Sequence, residues 1–289
     1  MTISIISGKG GTGKSSISAA LASIIHESVL ADCDVDAANL YLIFSPSCEE
    51  ETVFISGRKA VIDKTKCYDC GICAEYCRFD AIFAKEGRFY INETLCDGCH
   101  LCYRVCPNSA ITMVNEDKSR MYSGSFRKGK MVYGHLAPGE ENSGRLVSMV
   151  REKAVQLSRD NNIAHIIIDG PPGIGCAAIS SITGTDAVII VTEPTMSGLH
   201  DLKRAIEMVS AFKIKQYVII NKSDLNIDMS TAIQQYCEEI GIDVIAKLPF
   251  DESVITAMVN CKSFYEQKPN SEISELLKNA LNKVLNNFN

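Results

Sequence analysis

Residues 3–16 contain the pattern that most constrains the fold of this chain. A short apolar run leads into a glycine-rich loop, and the residues after the loop predict a helix. The loop matches G-x-x-x-x-G-K-[S/T], with Gly8, Gly13, Lys14 and Ser15 at its defining positions. In such loops backbone amides surround a triphosphate, the lysine reaches the β- and γ-phosphates, and the hydroxyl binds Mg²⁺. The predicted phosphate-binding residues are Gly8, Lys9, Gly10, Gly11, Thr12, Gly13, Lys14, Ser15 and Ser16.

Outside residues 58–115 the chain alternates predicted strands and helices. Continuous apolar runs, such as residues 166–168 and 188–191, are typical of strands buried on both faces of a parallel sheet. The alternation predicts an α/β fold with a doubly wound, mostly parallel sheet. Predicted strands lie at residues 3–6, 29–33, 165–169, 187–192, 217–221 and 244–248, with a possible strand at 130–135. Predicted helices lie near residues 197–212, 229–240 and 271–288, and another runs from the capping residues 140–143 to about residue 159.

Residues 58–115 have a different character from the rest of the chain. The sequence has 13 cysteines, and eight of them form two C-x2-C-x2-C-x3-C runs in this segment. The pattern of residues 62–82 recurs at 91–111, an offset of 29 residues. Each half predicts a short strand, a cysteine loop and one helical turn, which is too little for a hydrophobic core without metal. We therefore predict a small α+β insert at 58–115 in a P-loop domain formed by residues 1–57 and 116–289.

The cysteine spacing is that of two-cluster bacterial ferredoxins. In these proteins three thiolates of a run bind one cluster and the fourth binds the other. One [4Fe–4S] cluster is thus expected on Cys67, Cys70, Cys73 and Cys106, and the other on Cys96, Cys99, Cys102 and Cys77. Pro107 follows the second run as this pattern requires, whereas Arg78 follows the first. Structural zinc is the competing metal, and clusters that only stabilise the insert are a further alternative.

Three aspartates follow apolar strands of the P-loop domain. Asp169 ends one strand and precedes a Gly-Pro-Pro-Gly turn, where a carboxylate can hold Mg²⁺ through water. Asp34 and Asp36 lie in the turn after the second strand, where one of them could orient an attacking water. The alternative for each is a helix cap or a solvated side chain. Asp34 is the first candidate of the pair and Asp36 the second.

Charge and composition exclude some classes of partner. The formal net charge of −6 argues against a nucleic-acid-binding surface. No apolar run reaches the length of a membrane span, and the amphipathic stretch 271–288 has few basic residues, so stable membrane insertion is not expected. Cysteines that bind metal as thiolates need a reducing compartment, which predicts a cytoplasmic protein.

Together these motifs resemble the MinD/ParA/Mrp class of P-loop ATPases, to which the nitrogenase iron protein belongs. The resemblance lies in Lys9 at the second loop position, the Asp-x-Asp turn and the Asp-Gly-Pro-Pro-Gly turn, and the cysteine runs are similar to a branch with an inserted ferredoxin domain. It implies a homodimer that encloses ATP and Mg²⁺, with Lys9 reaching the partner's nucleotide. It also implies that Asp34 positions water in switch I and that Asp169 opens switch II.

The segment after residue 220 predicts a base-recognition loop. Asn221, Lys222 and Asp224 fit the N-K-x-D pattern that GTPases use for guanine, so the pattern alone leaves the base open. The resemblance points to adenine, with Asn221 as its contact and with Pro249 and Phe250 closing the pocket.

The five cysteines outside the two runs have weaker expectations. Cys176 lies seven residues after Asp169, as does a cluster ligand of the nitrogenase iron protein, but the second ligand of that protein has no counterpart. We therefore expect Cys176 to be a small buried residue. The other four are expected to be packed or inert: Cys33, Cys48, Cys237 and Cys261.

Three hypotheses of function follow from these residues and the resemblance. The first is an ATPase whose nucleotide state controls electron transfer to or from a redox partner through two [4Fe–4S] clusters. The second is an ATPase that assembles or carries iron–sulfur clusters for an acceptor protein. The third is a MinD-like ATPase that positions other proteins on a surface.

Overall fold

The chain folds into two compact units. The structure is a computed structural model that describes residues 1–140 and 143–288. Glu141 and Asn142, which the sequence suggests as capping residues, lie outside the described part. The larger unit comprises Met1–Glu51, Met121–Gly134 and Ser143–Asn289, and the smaller comprises Thr52–Arg120 and His135–Asn142.

The strands and helices alternate along most of the chain. The strands are β1 (Thr2–Ser7), β2 (Ser28–Asp32), β3 (Glu50–Phe54), β4 (Arg58–Ile62), β5 (Ile82–Lys85), β6 (Arg88–Ile91), β7 (Ile111–Asn115), β8 (Ser119–Phe126), β9 (Gly129–His135), β10 (His165–Pro172), β11 (Ala187–Thr192), β12 (Lys215–Asn221) and β13 (Asp243–Leu248). The helices are α1 (Lys14–Ile24), α2 (Leu40–Phe44), α3 (Ile72–Glu75), α4 (Leu101–Val105), α5 (Ser143–Asp160), α6 (Cys176–Ile182), α7 (Met196–Ser210), α8 (Ile227–Glu239), α9 (Ser253–Val259), α10 (Phe264–Gln267) and α11 (Glu272–Asn286).

A nine-stranded sheet organises the larger unit. Its order is β13-β12-β11-β1-β10-β2-β9-β8-β3, and every pair from β13 to β9 is parallel. Ile189 packs with α1 and α11 on one face, whereas Ile190 packs with α7 and α8 on the other. The predicted doubly wound, mostly parallel α/β fold is confirmed. Because the parallel strands point the same way, β1, β2, β10, β11 and β12 end at one edge, where ligands of such sheets bind.

Part of the sheet has no clear signal in the sequence. β8 is rich in serine and glycine, yet five of its eight residues are buried. The sequence predicts only one possible strand in this region, at residues 130–135. β8 is missed because small polar residues have low strand propensity, and its place in the sheet comes from pairing with β9.

Aromatic contacts hold the short helix α2 on the hairpin formed by β8 and β9. The Tyr41 ring stacks on Tyr133 at a centroid distance of 5.1 Å, and Tyr133 stacks on Tyr122 at 5.1 Å. At the other end of α2, Phe44 meets the edge of Phe126 at 4.8 Å. The helix is therefore fixed to the hairpin at both of its ends.

The last helix, α11, packs against the sheet. Its apolar face joins the core beneath α1, with the side chains of Ile273, Leu277, Leu281 and Val284 all buried. In the described part of the chain, no helix combines the length and apolar character needed to cross a membrane.

The backbone conformation of the smaller unit repeats with the same offset as its sequence. Positive φ angles recur 29 residues apart at three pairs of positions: Asp69 and Gly98, Gly71 and His100, and Asp80 and Ser109. Each half contains two strands around its helical turn, so the prediction of one strand per half was incomplete. The outer strands β4 and β7 pair antiparallel, as do β5 and β6. The sequence duplication is thus also a structural duplication.

Burial of α11 gives a prediction for stability. Leu281→Ala should lower the free energy of unfolding by about 2–5 kcal/mol, because the side chain is 2% exposed and its removal leaves a cavity. Leu225→Ala, at a side chain that is 63% exposed, should change it by less than about 0.5 kcal/mol. Urea unfolding of both variants measures the difference. Equal effects at the two positions would contradict the packing described for α11.

Candidate functional site

The glycine-rich loop connects β1 to α1 and is closely packed. Gly13 has a φ of 89°, and a Cβ there would collide with the Asn221 side-chain amide at the end of β12. A Cβ on Gly8 would lie 2.5 Å from Cβ of Asp201 on α7. The loop therefore needs glycine at both positions, and it holds the start of α1 at the edge where the parallel strands end.

The loop lysine is buried and paired with a carboxylate. Lys14 is 6% exposed, and its Nζ lies 3.0 Å from Oδ2 of the fully buried Asp169. Asp169 also accepts hydrogen bonds of 2.7 Å from the hydroxyls of Ser15 and Ser18. The structure thus brings together the predicted phosphate ligand, the predicted Mg²⁺ hydroxyl and the predicted switch II carboxylate.

The turn after β2 supplies two more carboxylates. Oδ2 of Asp34 lies 3.6 Å from Nζ of Lys14, whereas Asp36 is exposed and is not part of this group. Asp32, which the sequence analysis missed, is fully buried and accepts backbone N–H bonds from Asp34, Asn39 and Leu40. Its signal was its position as the last residue of β2, two residues before Asp34.

Burial and like charges shift the pKa values of this group. Burial, reinforced by the charge of Asp169, raises the pKa of Asp32 to about 7. Burial also raises the pKa of Asp34, although Lys14 opposes the shift. For Lys14 burial favours the neutral form, but Asp169, Asp34 and Asp32 together hold its pKa above the ordinary value. Lys14 is therefore an ammonium ion among three carboxyl groups, one of which retains a proton near neutral pH.

The donors near Ser15 suit Mg²⁺ only together with a phosphate. In the described residues, no three His, Cys, Asp or Glu side chains converge on one point as ligands of a single metal ion. Mg²⁺ commonly takes one or two protein oxygens and completes its shell with phosphate oxygens and water. The Ser15 hydroxyl and the Asp169 carboxylate, 2.7 Å apart, fit that donor set.

Lys9 is paired inside its own chain. Its Nζ lies 2.7 Å from Oε1 of Glu193 and donates a 2.9 Å hydrogen bond to the Ser197 hydroxyl. Oε2 of Glu193 lies 3.3 Å from Nζ of Lys222, which donates to the Gly11 carbonyl at 3.1 Å. Sequence reasoning missed Glu193, since no local motif marks it.

A cavity opens beside Gly13 and Ser16. The predicted base-contacting residues Asn221, Pro249 and Phe250 all line it. The Asn221 side-chain Nδ2 donates to the Thr12 carbonyl at 2.8 Å. Oδ1 of Asp224 accepts the Phe250 N–H at 2.7 Å, so the aspartate of the N-K-x-D pattern binds backbone. The cavity has the place and the apolar lining of a base pocket.

The cysteines of the smaller unit line two separate cavities. Each cavity takes three cysteines of one run and the last cysteine of the other run, and all eight are free thiols. The first cavity is lined by Cys67, Cys70, Cys73 and Cys106, and the second by Cys96, Cys99, Cys102 and Cys77.

Cysteines outside the two runs differ partly from expectation. Cys176 is exposed at the first residue of α6, so the prediction that it is buried is wrong. The turn after β10 places it on the outer side of the short helix, next to Gly144. Cys33 and Cys237 are buried as expected, whereas Cys48 and Cys261 are exposed rather than packed.

Comparisons with known proteins match nearly the whole chain. A family model described as the CobQ/CobB/MinD/ParA nucleotide binding domain matches residues 3–264. An uncharacterized protein of Methanocaldococcus jannaschii is 33% identical over 291 residues, which cover 98% of this chain and 96% of that protein.

Two further similarities are more distant. An iron-sulfur cluster carrier protein of Saccharolobus solfataricus is 25% identical over 134 residues, 42% of this chain and 45% of its own. The septum site-determining protein MinD of Pyrococcus horikoshii, solved as a complex with Mg-ADP, has a TM-score of 0.59 at 19% identity, covering 98% of this chain and 96% of that one. At this identity the structural similarity shows the fold.

The raised pKa of Asp32 gives a prediction for pH dependence. The folded protein keeps a proton on Asp32 that the unfolded chain has released above its ordinary pKa of 3.8, so this group lowers stability as pH rises from about 4 to about 7. Asp32→Asn should remove that fall and gain about 1–4 kcal/mol relative to wild type between about pH 5 and about pH 8. Urea unfolding without nucleotide or Mg²⁺ measures it. Asp36→Asn is the exposed control, and a pH-independent difference for Asp32→Asn would refute the assignment.

Proposed function

Because the chain belongs to the CobQ/CobB/MinD/ParA nucleotide binding domain family, we propose that it is a Mg-ATP hydrolase whose homodimer couples nucleotide state to electron transfer. Two [4Fe–4S] clusters in the smaller unit would carry the electrons to or from a redox partner. A reducing compartment such as the cytoplasm suits the free thiols.

The contacts of Lys14 support the nucleotide half of the proposal. Its ammonium lies among carboxylates at the end of the loop, ready to exchange part of this pairing for the β- and γ-phosphates. Ser15 and Asp169 would hold Mg²⁺, directly and through water. Asp34, which is half-buried beside Lys14, is the group placed to orient the attacking water. Asp36 is exposed and remains the second candidate for that role.

The base pocket favours adenine over guanine. In the N-K-x-D pattern the aspartate must leave its carboxylate open for the guanine edge. Here Oδ1 of Asp224 already accepts the Phe250 N–H, and Lys222 binds Glu193 and the Gly11 carbonyl. Both side chains are therefore engaged in holding the loops that form the pocket. Asn221 uses its Nδ2 in the bond to the Thr12 carbonyl, and its side-chain oxygen is the group we assign to the base.

The observation that carries the cluster half is the division of the eight cysteines between two cavities. The pattern of two-cluster ferredoxins requires three thiolates from one run and one from the other, and each cavity has this set. A zinc ion holds its thiolates at about 2.3 Å, close enough for them to converge. The C-x2-C-x2-C-x3-C spacing of both runs nevertheless favours clusters over zinc ions. A bound cluster would supply a one-electron carrier.

Iron–sulfur cluster delivery is the second candidate function. It is favoured by the similarity over 134 residues to a protein named as an iron-sulfur cluster carrier. Against it, the chain has no C-x-x-C pair after Cys106, where Mrp-type carriers have one near their C-terminus. A surface-positioning role is disfavoured, because the apolar face of α11 is buried in the core and is not available to a membrane.

Iron content tests the ligand sets. Anaerobically reconstituted protein should hold about eight iron atoms per chain, and replacing Cys67 and Cys70, or Cys99 and Cys102, by alanine should each remove about four. Replacing the exposed Cys48 and Cys261 together is the matched control and should remove none. Iron and sulfide assays with EPR of the reduced protein measure the outcome. Zinc in place of iron, or equal loss in the control, would contradict the assignment.

Coupling is tested by an EPR-monitored redox titration with and without Mg-ATP. We expect Mg-ATP to shift the potentials or line shapes of wild type, because the nucleotide changes the contacts of Asp34 and Asp169. Lys14→Ala should lose this response and keep its iron. Potentials and line shapes that do not change with Mg-ATP, together with transfer of the clusters to an apo-acceptor protein, would instead favour the delivery function.

A further inference from the structure

We infer that Glu193 is a positioning residue that holds Lys9 inside its own subunit until a second subunit binds. The inference rests on the proposed homodimer and on the family resemblance, which implies that Lys9 reaches the nucleotide of the partner subunit. Glu193 would then set how readily the nucleotide-bound protein dimerises. It acts through Lys9 and makes no contact with the nucleotide itself.

The strand order of the sheet creates this pair. β1 and β11 are parallel neighbours, with Ser7 beside Val191 at the ends of the paired segments. Lys9 follows β1 and Glu193 follows β11, so both side chains emerge at one edge of the sheet. Their charged atoms lie 2.7 Å apart although 184 residues of sequence separate them. Both positions lie within two residues of the ends of neighbouring strands, so the pair follows from the strand order.

The start of α7 adds further contacts to Lys9. Nζ donates to the Ser197 hydroxyl at 2.9 Å and to the Thr195 hydroxyl at 3.4 Å. The Thr195 hydroxyl also accepts the Gly198 N–H as the N-cap of α7. Lys9 is thus held by one carboxylate and two hydroxyls of its own chain, and an ammonium held in this way is not free to bind a phosphate.

A second cation makes the release of Lys9 feasible. Oε2 of Glu193 lies 3.3 Å from Nζ of Lys222, so the carboxylate keeps a partner when Lys9 leaves. Burial opposes the charged form of Glu193, but Lys9 and Lys222 hold its pKa below the ordinary value. The Lys9 side chain is 30% exposed and that of Glu193 18%, so water can also take up the vacated contacts. The pair therefore favours the position of Lys9 inside its own subunit, and it can still be broken when a second subunit binds.

The consequence is a competition between two positions of one ammonium. In the isolated subunit Lys9 binds Glu193, whereas in the dimer it binds phosphate oxygens of the partner's nucleotide. Each dimer must break two copies of the Lys9–Glu193 pair. Glu193→Gln keeps the shape of the side chain and removes its charge, so it should favour the dimer. For partly exposed ion pairs we expect association about two- to tenfold tighter.

Sedimentation equilibrium measures this effect on the full chain, reconstituted with iron and sulfide, in the presence of Mg-ATPγS. Glu193→Gln should lower the dimer dissociation constant about two- to tenfold, and the gain should shrink as salt is raised. Glu49→Gln is the matched control, because it removes a carboxylate from a 2.9 Å pair with Lys130 elsewhere on the surface. That variant should dimerise like wild type.

The variant Lys9→Ala separates this inference from the proposed function. If Lys9→Ala dimerises as well as wild type, Lys9 does not act across the interface and this inference is overturned, whereas the proposed homodimer stands. If wild type itself stays monomeric with Mg-ATPγS, the homodimer part of the proposed function fails. If Lys9→Ala weakens the dimer but Glu193→Gln does not tighten it, the positioning role of Glu193 alone is overturned. In the double variant the Glu193→Gln gain should disappear, whereas a general structural effect of position 193 would persist.

Discussion

The buried pair between Lys14 and Asp169 is the interaction on which the site depends. It connects the loop after β1 to the end of β10, two neighbouring strands at the centre of the sheet. A charged pair of this kind is stable only because other groups satisfy it, and the Ser15 and Ser18 hydroxyls do so here. Removing one partner of a buried pair typically costs about 3–5 kcal/mol. The phosphate site is thus formed before any nucleotide arrives, and a triphosphate with its metal replaces contacts that already exist.

The two halves of the smaller unit form similar cysteine-lined cavities from different residues. Its two halves adopt the same positive φ angles 29 residues apart, although the residue types at these positions differ. Gly98 cannot be exchanged freely, because a Cβ there would collide with the Arg58 carbonyl, whereas its counterpart Asp69 accepts the Phe89 N–H. The halves therefore share a backbone but not an environment. Two cofactors bound there would experience different surroundings despite identical cysteine spacing.

Local chemistry made much of this molecule predictable from its sequence. The glycine loop and the buried strands β10 and β11 depend on residues close in sequence, and the grouping of the eight cysteines follows from the known pattern of their two runs. The misses have non-local causes. Asp32 acquires its importance from burial beside Asp169, the exposure of Cys176 depends on the path of the turn after β10, and the Lys9–Glu193 pair requires that β11 lie beside β1. Sequence patterns of one segment do not report which strands become neighbours.

The short helix α2 links the phosphate end of the sheet to the hairpin of β8 and β9. Its first turn is held by the Asp32 carboxylate, which accepts the Leu40 N–H, and its aromatic side chains rest on that hairpin. Any change that moved Asp32 would therefore shift the anchor of α2 and disturb the stacked rings of Tyr41, Tyr133 and Tyr122.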